Sequence, residues 1–426
     1  MKQVSVFLII SITLVLLSCD TTEPPPPPVA EKPTIELALE DISCIEAWIK
    51  LKTTNLQLPA SLELKQINPA GDSTIKILNL NTQDSLLYID SLLPNQSYQY
   101  QAFSIEHPAT SNELSVTTMD TTSHNFTFES WTFGTVGSSW LYDVAIINEN
   151  NIWAVGGINV ADTSQNGYTM YNAVHWDGIQ WDLMQIPFLF QGDSFYNPIY
   201  AVFAFNADDI WFGIGNLIHW DGTRYFPIGI SSVFQSLVNK IWGSSSENLY
   251  IVGNNGTIVH YNGVLWQRIE SGTDLNIGDI WGIADGNGGY NKYLAADNAM
   301  LKIDNNNQLS RIDAEQGRSL GAVWGMTDWL IYTAGGYGLT LYKNYDWEII
   351  NVPVTNTIRV VRGQNHNDVY GLGNLGIIIH FNGYTWQTIA TGQNNTFYRI
   401  EAKNDFAVTV GWQGDKALIT VIKRTQ

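Results

Sequence analysis

The chain has 426 residues and a formal net charge of −19, with 21 Lys and Arg against 40 Asp and Glu. So few cations cannot assemble the basic face that a nucleic-acid backbone requires, which excludes that class of partner. Sixteen Trp, 36 Gly and 12% aromatic residues beside 14% charged ones, set in alternating apolar patterns, point to an all-β protein.

Residues 1–18 read as an export signal. Lys2 supplies the positive start, and residues 4–17 form an apolar run too short to span a bilayer as a stable helix. The run ends in Leu16, Leu17, Ser18 and Cys19, which resembles the lipobox of bacterial lipoproteins. The resemblance implies cleavage before Cys19, lipidation of that cysteine and a place in the cell envelope, at the outer membrane or cell surface. Buried acyl chains contribute about 0.8 kcal/mol per methylene, so a membrane is the partner expected at this end. Residues 19–32 then form a linker whose prolines 24–28 favour a semi-rigid polyproline II spacer. With Cys19 lipidated, Cys44 is the other of only 2 cysteines, and no intrachain disulfide can form.

Residues 33–119 show short alternating runs at 45–52 (IEAWIKLK), 61–67 (SLELKQI), 98–105 (YQYQAFSI) and 113–118 (ELSVTT). Turn residues separate them at the intervals of a β-sandwich. A Leu-Pro turn before the Tyr98 strand, and Trp48 in another strand, make this region resemble a fibronectin type III domain. That resemblance implies a spacer or adhesion module without chemistry. Cys44, at the start of the Trp48 strand, is expected to be buried.

Residues 125–426 repeat at a period near 40, the mark of a propeller or solenoid. His175, His219, His260, Lys302, Leu341, His380 and Thr420 fall 39 to 44 residues apart. A short apolar strand precedes each, and its Val/Ile column, 17 to 31 residues upstream, reads Val144, Val202, Ile241, Ile280, Val323, Val361 and Ile400. Between them lies an aromatic strand ending in Gly, and a fourth strand starts at Trp181, Trp266, Trp347 and Trp386. Four strands per repeat, seven times over, predict a seven-bladed β-propeller with strands a to d running outward. The last repeat has room for only three strands, so residues 125–133 are expected to pair antiparallel with 417–423 and close the ring.

The four copies of His-aromatic-Asp/Asn-Gly are placed at the end of strand c and the turn into strand d. Asp-Gly and Asn-Gly favour a two-residue hairpin in which both central positions take positive φ. His175, His219, His260 and His380 would be spread around the ring, so they cannot converge on one substrate or ion. They are assigned a structural role, as imidazoles bonded to a neighbouring strand. The repeat resembles the tryptophan-rich repeats of bacterial secreted propellers, grouped with the BNR and photosystem II assembly-factor-like proteins; this implies the fold and no particular activity.

No P-loop, zinc-protease or nucleophile-elbow pattern appears, and residues 285–291 (DGNGGYN) carry one carboxylate where a calcium loop needs several. No cofactor, metal or catalytic residue is therefore assigned. Arg362 and Glu401, on neighbouring blades, are expected to pair near the axis. Two long connections in the first repeat, residues 157–173 and 187–198, are expected to project as loops from one face of the disc. They carry Tyr168, Tyr171, Phe188, Phe190, Phe195 and Tyr196. Of these, Tyr168, Tyr171, Phe190, Phe195 and Tyr196 are the candidate ligand-binding residues. The expected function is a membrane-anchored, exported, non-catalytic binding or scaffold protein for a glycan or protein ligand. The alternative is a carbohydrate-active hydrolase or lyase on the same scaffold.

Overall fold

A computed structural model describes residues 32–106, 108–190, 193–314, 318–390 and 394–425. The expected signal segment, Cys19 and the run of prolines lie outside the described residues. Among those described, no α-helix occurs and one 3₁₀ turn is present, so the protein is all-β.

The N-terminal part is a sandwich. A three-stranded sheet of Thr34–Ile42, Ala47–Thr54 and Asp84–Ile89 faces a four-stranded sheet. The second sheet is ordered Ser73–Leu80, Ala60–Ile67, Ser97–Ser104, Leu114–Thr117. Strict alternation drives this arrangement: Ile49, Leu51, Leu62, Leu64, Tyr100 and Val116 point inward and are buried in one core.

Among the described residues, seven further four-stranded antiparallel sheets follow. Sheet 1 comprises strand a (Trp140–Asn148), b (Asn151–Ala161), c (Tyr168–Trp176) and d (Trp181–Met184). Sheets 2 to 6 occupy residues 201–228, 238–270, 279–313, 320–349 and 358–390. In sheet 7, strands a to c are Asn395–Lys403, Phe406–Gln413 and Lys416–Arg424, and strand d is Phe126–Phe133, from before sheet 1. Its register runs from Ala417 opposite Phe133 to Arg424 opposite Phe126. Successive a strands pack on one another, and the seventh packs on the first, which gives a β-propeller.

The Val/Ile column lies between neighbouring a strands, and none of its seven members is more than 2% exposed. Within strand b of sheet 1 a glycine lets strand a approach closely: a Cβ on Gly156 would stand 2.0 Å from the Trp140 carbonyl oxygen. The c–d turns differ from the expectation in one respect. In the four His-aromatic-Asp/Asn-Gly turns only the glycine takes positive φ, +95° at Gly178 for example, so Gly and the next residue are the central pair. Asp177 precedes them because its Oδ1 accepts the N–H groups of Ile179 and Gln180, both at 2.8 Å.

The sandwich docks on the a–b and c–d turns of sheets 5 and 6. Trp48 is fully buried there, and its Nε1 donates to Asn344 Oδ1 at 3.0 Å. Lys343 pairs with Glu46 at 3.0 Å, and His366 with Asp41 at 2.9 Å. Cys44 is buried in the same contact, 3.2 Å from the Asp120 carbonyl.

Candidate functional site

Each repeat histidine bonds the first residue of strand b in its own sheet. Nε2 of His175, His219, His260 and His380 donates to Oδ1 of Asn151, Asp209, Asn248 and Asp368 at 2.8–3.0 Å. The imidazole also packs on the strand-b aromatic opposite, with ring centroids 4.2–4.9 Å apart for Trp153, Trp211, Tyr250 and Tyr370. In sheet 4 this position is Lys302, whose ammonium lies over Tyr293. His260 and His380 are buried, whereas His175 and His219 are half-buried. Burial pushes the His260 imidazole down to about 4, so it stays neutral at physiological pH. The register also moves the last member of the series by one: Val421, not Thr420, stands opposite the strand-b position, here Val408.

Near the axis, the expected Arg362–Glu401 pair is not formed. Arg362 reaches over sheet 5 to make a bidentate pair with Asp279 of sheet 4, at 2.6 and 2.7 Å. Lys240 of sheet 3 likewise reaches Asp143 of sheet 1, at 2.7 Å. The carboxylates also bind the next sheet's backbone, since Asp143 accepts the Val202 N–H and Asp279 the Val323 N–H, both at 3.0 Å. Glu401 accepts the Ile146 N–H at 3.1 Å, which joins sheet 7 to sheet 1. Burial would raise the Asp279 carboxyl, but the Arg362 guanidinium holds it below its ordinary value. Glu401 has no such close cation, and burial pushes it up to about 7. A cavity of about 50 Å³ remains here, lined by Lys240, Trp242, Trp281, Arg362 and Glu401. Among the described residues, no group of three or more His, Cys, Asp or Glu is placed to hold a metal ion.

Antiparallel alternation puts the b–c and d–a connections on the face opposite the docked sandwich. The two connections expected to be loops are largely strand. Strands b and c of sheet 1 stay paired out to Ala161 and Tyr168, so the turn is only residues 162–167. Phe188–Phe190 pairs with Asp193–Phe195 as a second small hairpin. Fully buried Asn172 ties the two together, donating to the carbonyls of Ile186 and Asn197 at 2.9 and 3.1 Å. The expected aromatic patch divides. Tyr168, Phe195 and Tyr196 are 40%, 45% and 36% exposed. Tyr171 and Phe188 turn into the cores between sheets instead. The Phe190 side chain lies outside the described residues. The same face carries three stacked tyrosines from the starts of a strands, with Tyr142 centred 4.9 Å from Tyr200 and 5.4 Å from Tyr398.

One concavity was not anticipated from sequence. It has a volume of about 510 Å³ and lies between sheets 7 and 1, at the a–b turns of both and the c–d turn of sheet 1. Trp131, Trp176 and Trp181 wall it, over Ile152, Phe406 and Val421. The signal for it was present in the repeat: the seventh copy has Val408 and Val421 where others have an aromatic and a histidine.

No family model matches the chain, and no curated protein matches it. Its likeness is to solved β-propellers, the class that the ring of sheets defines. A structure described as YCF48 bound to D1 peptide superposes with a TM-score of 0.53 at 15% identity, covering 70% of this chain and 95% of that one. YCF48 from Cyanidioschyzon merolae gives 0.51 at 14% identity, over 69% and 98%. Virginiamycin B lyase from Staphylococcus aureus gives 0.52 at 8% identity, over 71% and 100%.

Proposed function

We propose that this is an exported, lipid-anchored envelope protein in which a fibronectin type III-like domain carries a seven-bladed propeller that binds a protein or glycan partner without catalysis. The domain assignment draws support from the three-plus-four strand order and from Tyr98, whose hydroxyl accepts the Leu93 N–H at 2.9 Å as in a tyrosine corner. The anchor rests on the Leu-Leu-Ser-Cys19 sequence alone.

One observation carries the binding reading. Tyr168, Phe195 and Tyr196 stand exposed on two hairpins that a buried asparagine locks together, on the face that also carries Tyr142, Tyr200 and Tyr398. Rigidly displayed aromatics give large contact area at low entropic cost. A glycoside hydrolase would need two carboxylates facing one substrate, whereas Asp143 and Asp279 are committed to cations and backbone N–H groups. A propeller of this fold has been seen holding a peptide, which suits a face-bound ligand.

The test is to place a photo-cross-linking amino acid at Tyr168 or Tyr196, with Val264 on the opposite face as control. A defined adduct from the first two positions and none from Val264 is expected. No adduct, or the same adduct from Val264, overturns the proposal.

A further inference from the structure

The groove between sheets 7 and 1 exists because the last repeat departs from the others. In sheet 2, Trp211 of strand b packs against Trp266 of sheet 3, with centroids 6.2 Å apart. In sheet 5, Tyr332 meets Trp386 of sheet 6 at 6.2 Å. These contacts fill the space between strand b of one sheet and strand d of the next. At the corresponding place sheet 7 offers Val408, with Val421 opposite it on strand c. The aromatic pair of the next sheet, Trp176 and Trp181, is left facing an opening of about 510 Å³. Trp131 on the closing strand supplies a third indole from the other side.

The chemistry of the lining narrows the ligand. The indole centroids are 6.1 Å (Trp131–Trp176), 6.0 Å (Trp131–Trp181) and 5.4 Å (Trp176–Trp181) apart, already in mutual contact. They leave no gap for a cation caged between rings, so a ligand must lie on an open ring face. The rim mixes signs, with exposed Glu129 and Glu149 against Lys423, and adds the amides of Asn150 and Asn404. Arg424 is spent on Asp368 and Asp405. A rim with acceptors and donors of both signs suits many hydroxyl groups and no net charge. The C–H face of a pyranose ring is flat, apolar and positively polarised toward the negative face of an indole. The volume falls within the range of small-ligand sites, about 300–1,000 Å³.

We propose that this groove binds a neutral saccharide, with a pyranose ring against the indole wall and its hydroxyls on the Glu129, Asn150 and Lys423 rim. The site lies on the face opposite Tyr168 and Tyr196, so it stands or falls separately from the partner face.

The test titrates the full chain in detergent with neutral oligosaccharides (gluco-, manno-, xylo- and chito-series) and follows tryptophan emission. Saturable binding is expected for at least one series. Trp131→Ala should weaken it at least tenfold, as should the double change Val408→Tyr with Val421→His, which restores the repeat and fills the groove. Glu129→Ala, at an exposed rim position, gives the same comparison should the core variants fail to fold. Replacement of Tyr168, Phe195 and Tyr196 by Ala should leave saccharide affinity unchanged. Binding by no neutral series, by acidic saccharides only, or undiminished in folded groove and rim variants, overturns the proposal.

Discussion

Glu401 sits in an environment that resists its charge. It is half-buried near the axis, and it accepts the Ile146 N–H. Because burial raises its carboxyl from 4.5 to about 7, the folded chain holds this proton more tightly than the unfolded chain does. The stability it contributes is therefore complete below about 4.5 and is lost as pH rises through about 7. A difference of this size corresponds to roughly 3 kcal/mol. Glu401→Gln keeps an acceptor for Ile146 and removes the titration. Urea denaturation from pH 4.5 to 8 should show that the wild type loses stability relative to the variant across that window. Parallel curves would mean the carboxyl is solvated. The neighbouring charges were not legible as pairs. Asp143–Lys240 and Asp279–Arg362 each reach past an intervening sheet, and the repeat spacing orders residues around the ring, not across it.

At the scale of strands, what could be read depended on how regular the repeat was. The Val/Ile column combines constant spacing with period-two alternation, and all seven members are buried. Shortening Ile280 to Ala should remove about 2–5 kcal/mol, measured as a shift in denaturation midpoint. A loss below about 1 kcal/mol would mean the interface between sheets 3 and 4 can collapse onto the gap. The turn motif was legible as a turn but not in its geometry, because Asx-Gly fits two hairpin types and the Asp177 cap decides between them. Where no c–d turn exists the series from His175 to Thr420 loses register: sheet 7 takes strand d from the other end of the chain, and the register centres on Val421. The same irregular sheet leaves the tryptophan groove. The projecting hairpins of sheet 1 looked like loops because polar residues 162–167 interrupt an alternation that resumes on both sides.

On the scale of the whole molecule, the two domains form a stack with defined ends. Strand Thr34–Ile42 begins far from the propeller and delivers Asp41 to His366 of sheet 6. The described chain therefore starts at the outer end of the sandwich, and the face bearing Tyr168 and Tyr196 is at the opposite end of the stack. Under the proposed N-terminal lipid anchor, that face would point away from the membrane. This geometry depends on Trp48. Sequence alternation marks Trp48 as facing one side of its strand, yet it gives no sign that the side is covered by the propeller and not by the sandwich core. In the docked arrangement Trp48 has ring centroids 6.4 Å from Trp329 and 6.2 Å from His366, and its indole N–H is used by Asn344. The surrounding polar contacts, Lys343–Glu46 and Asn367 to the Asp120 carbonyl at 2.8 Å, are peripheral and gain strength from the water that Trp48 excludes. Trp48→Ala should therefore release the docking without unfolding either domain, since the sandwich core of Ile49, Leu51, Leu62 and Tyr100 is separate. Small-angle scattering of the variant should give a larger radius of gyration, and residues 120–125 should become cleavable by protease. A variant as compact and as protected as the wild type would show that the peripheral contacts hold the stack by themselves.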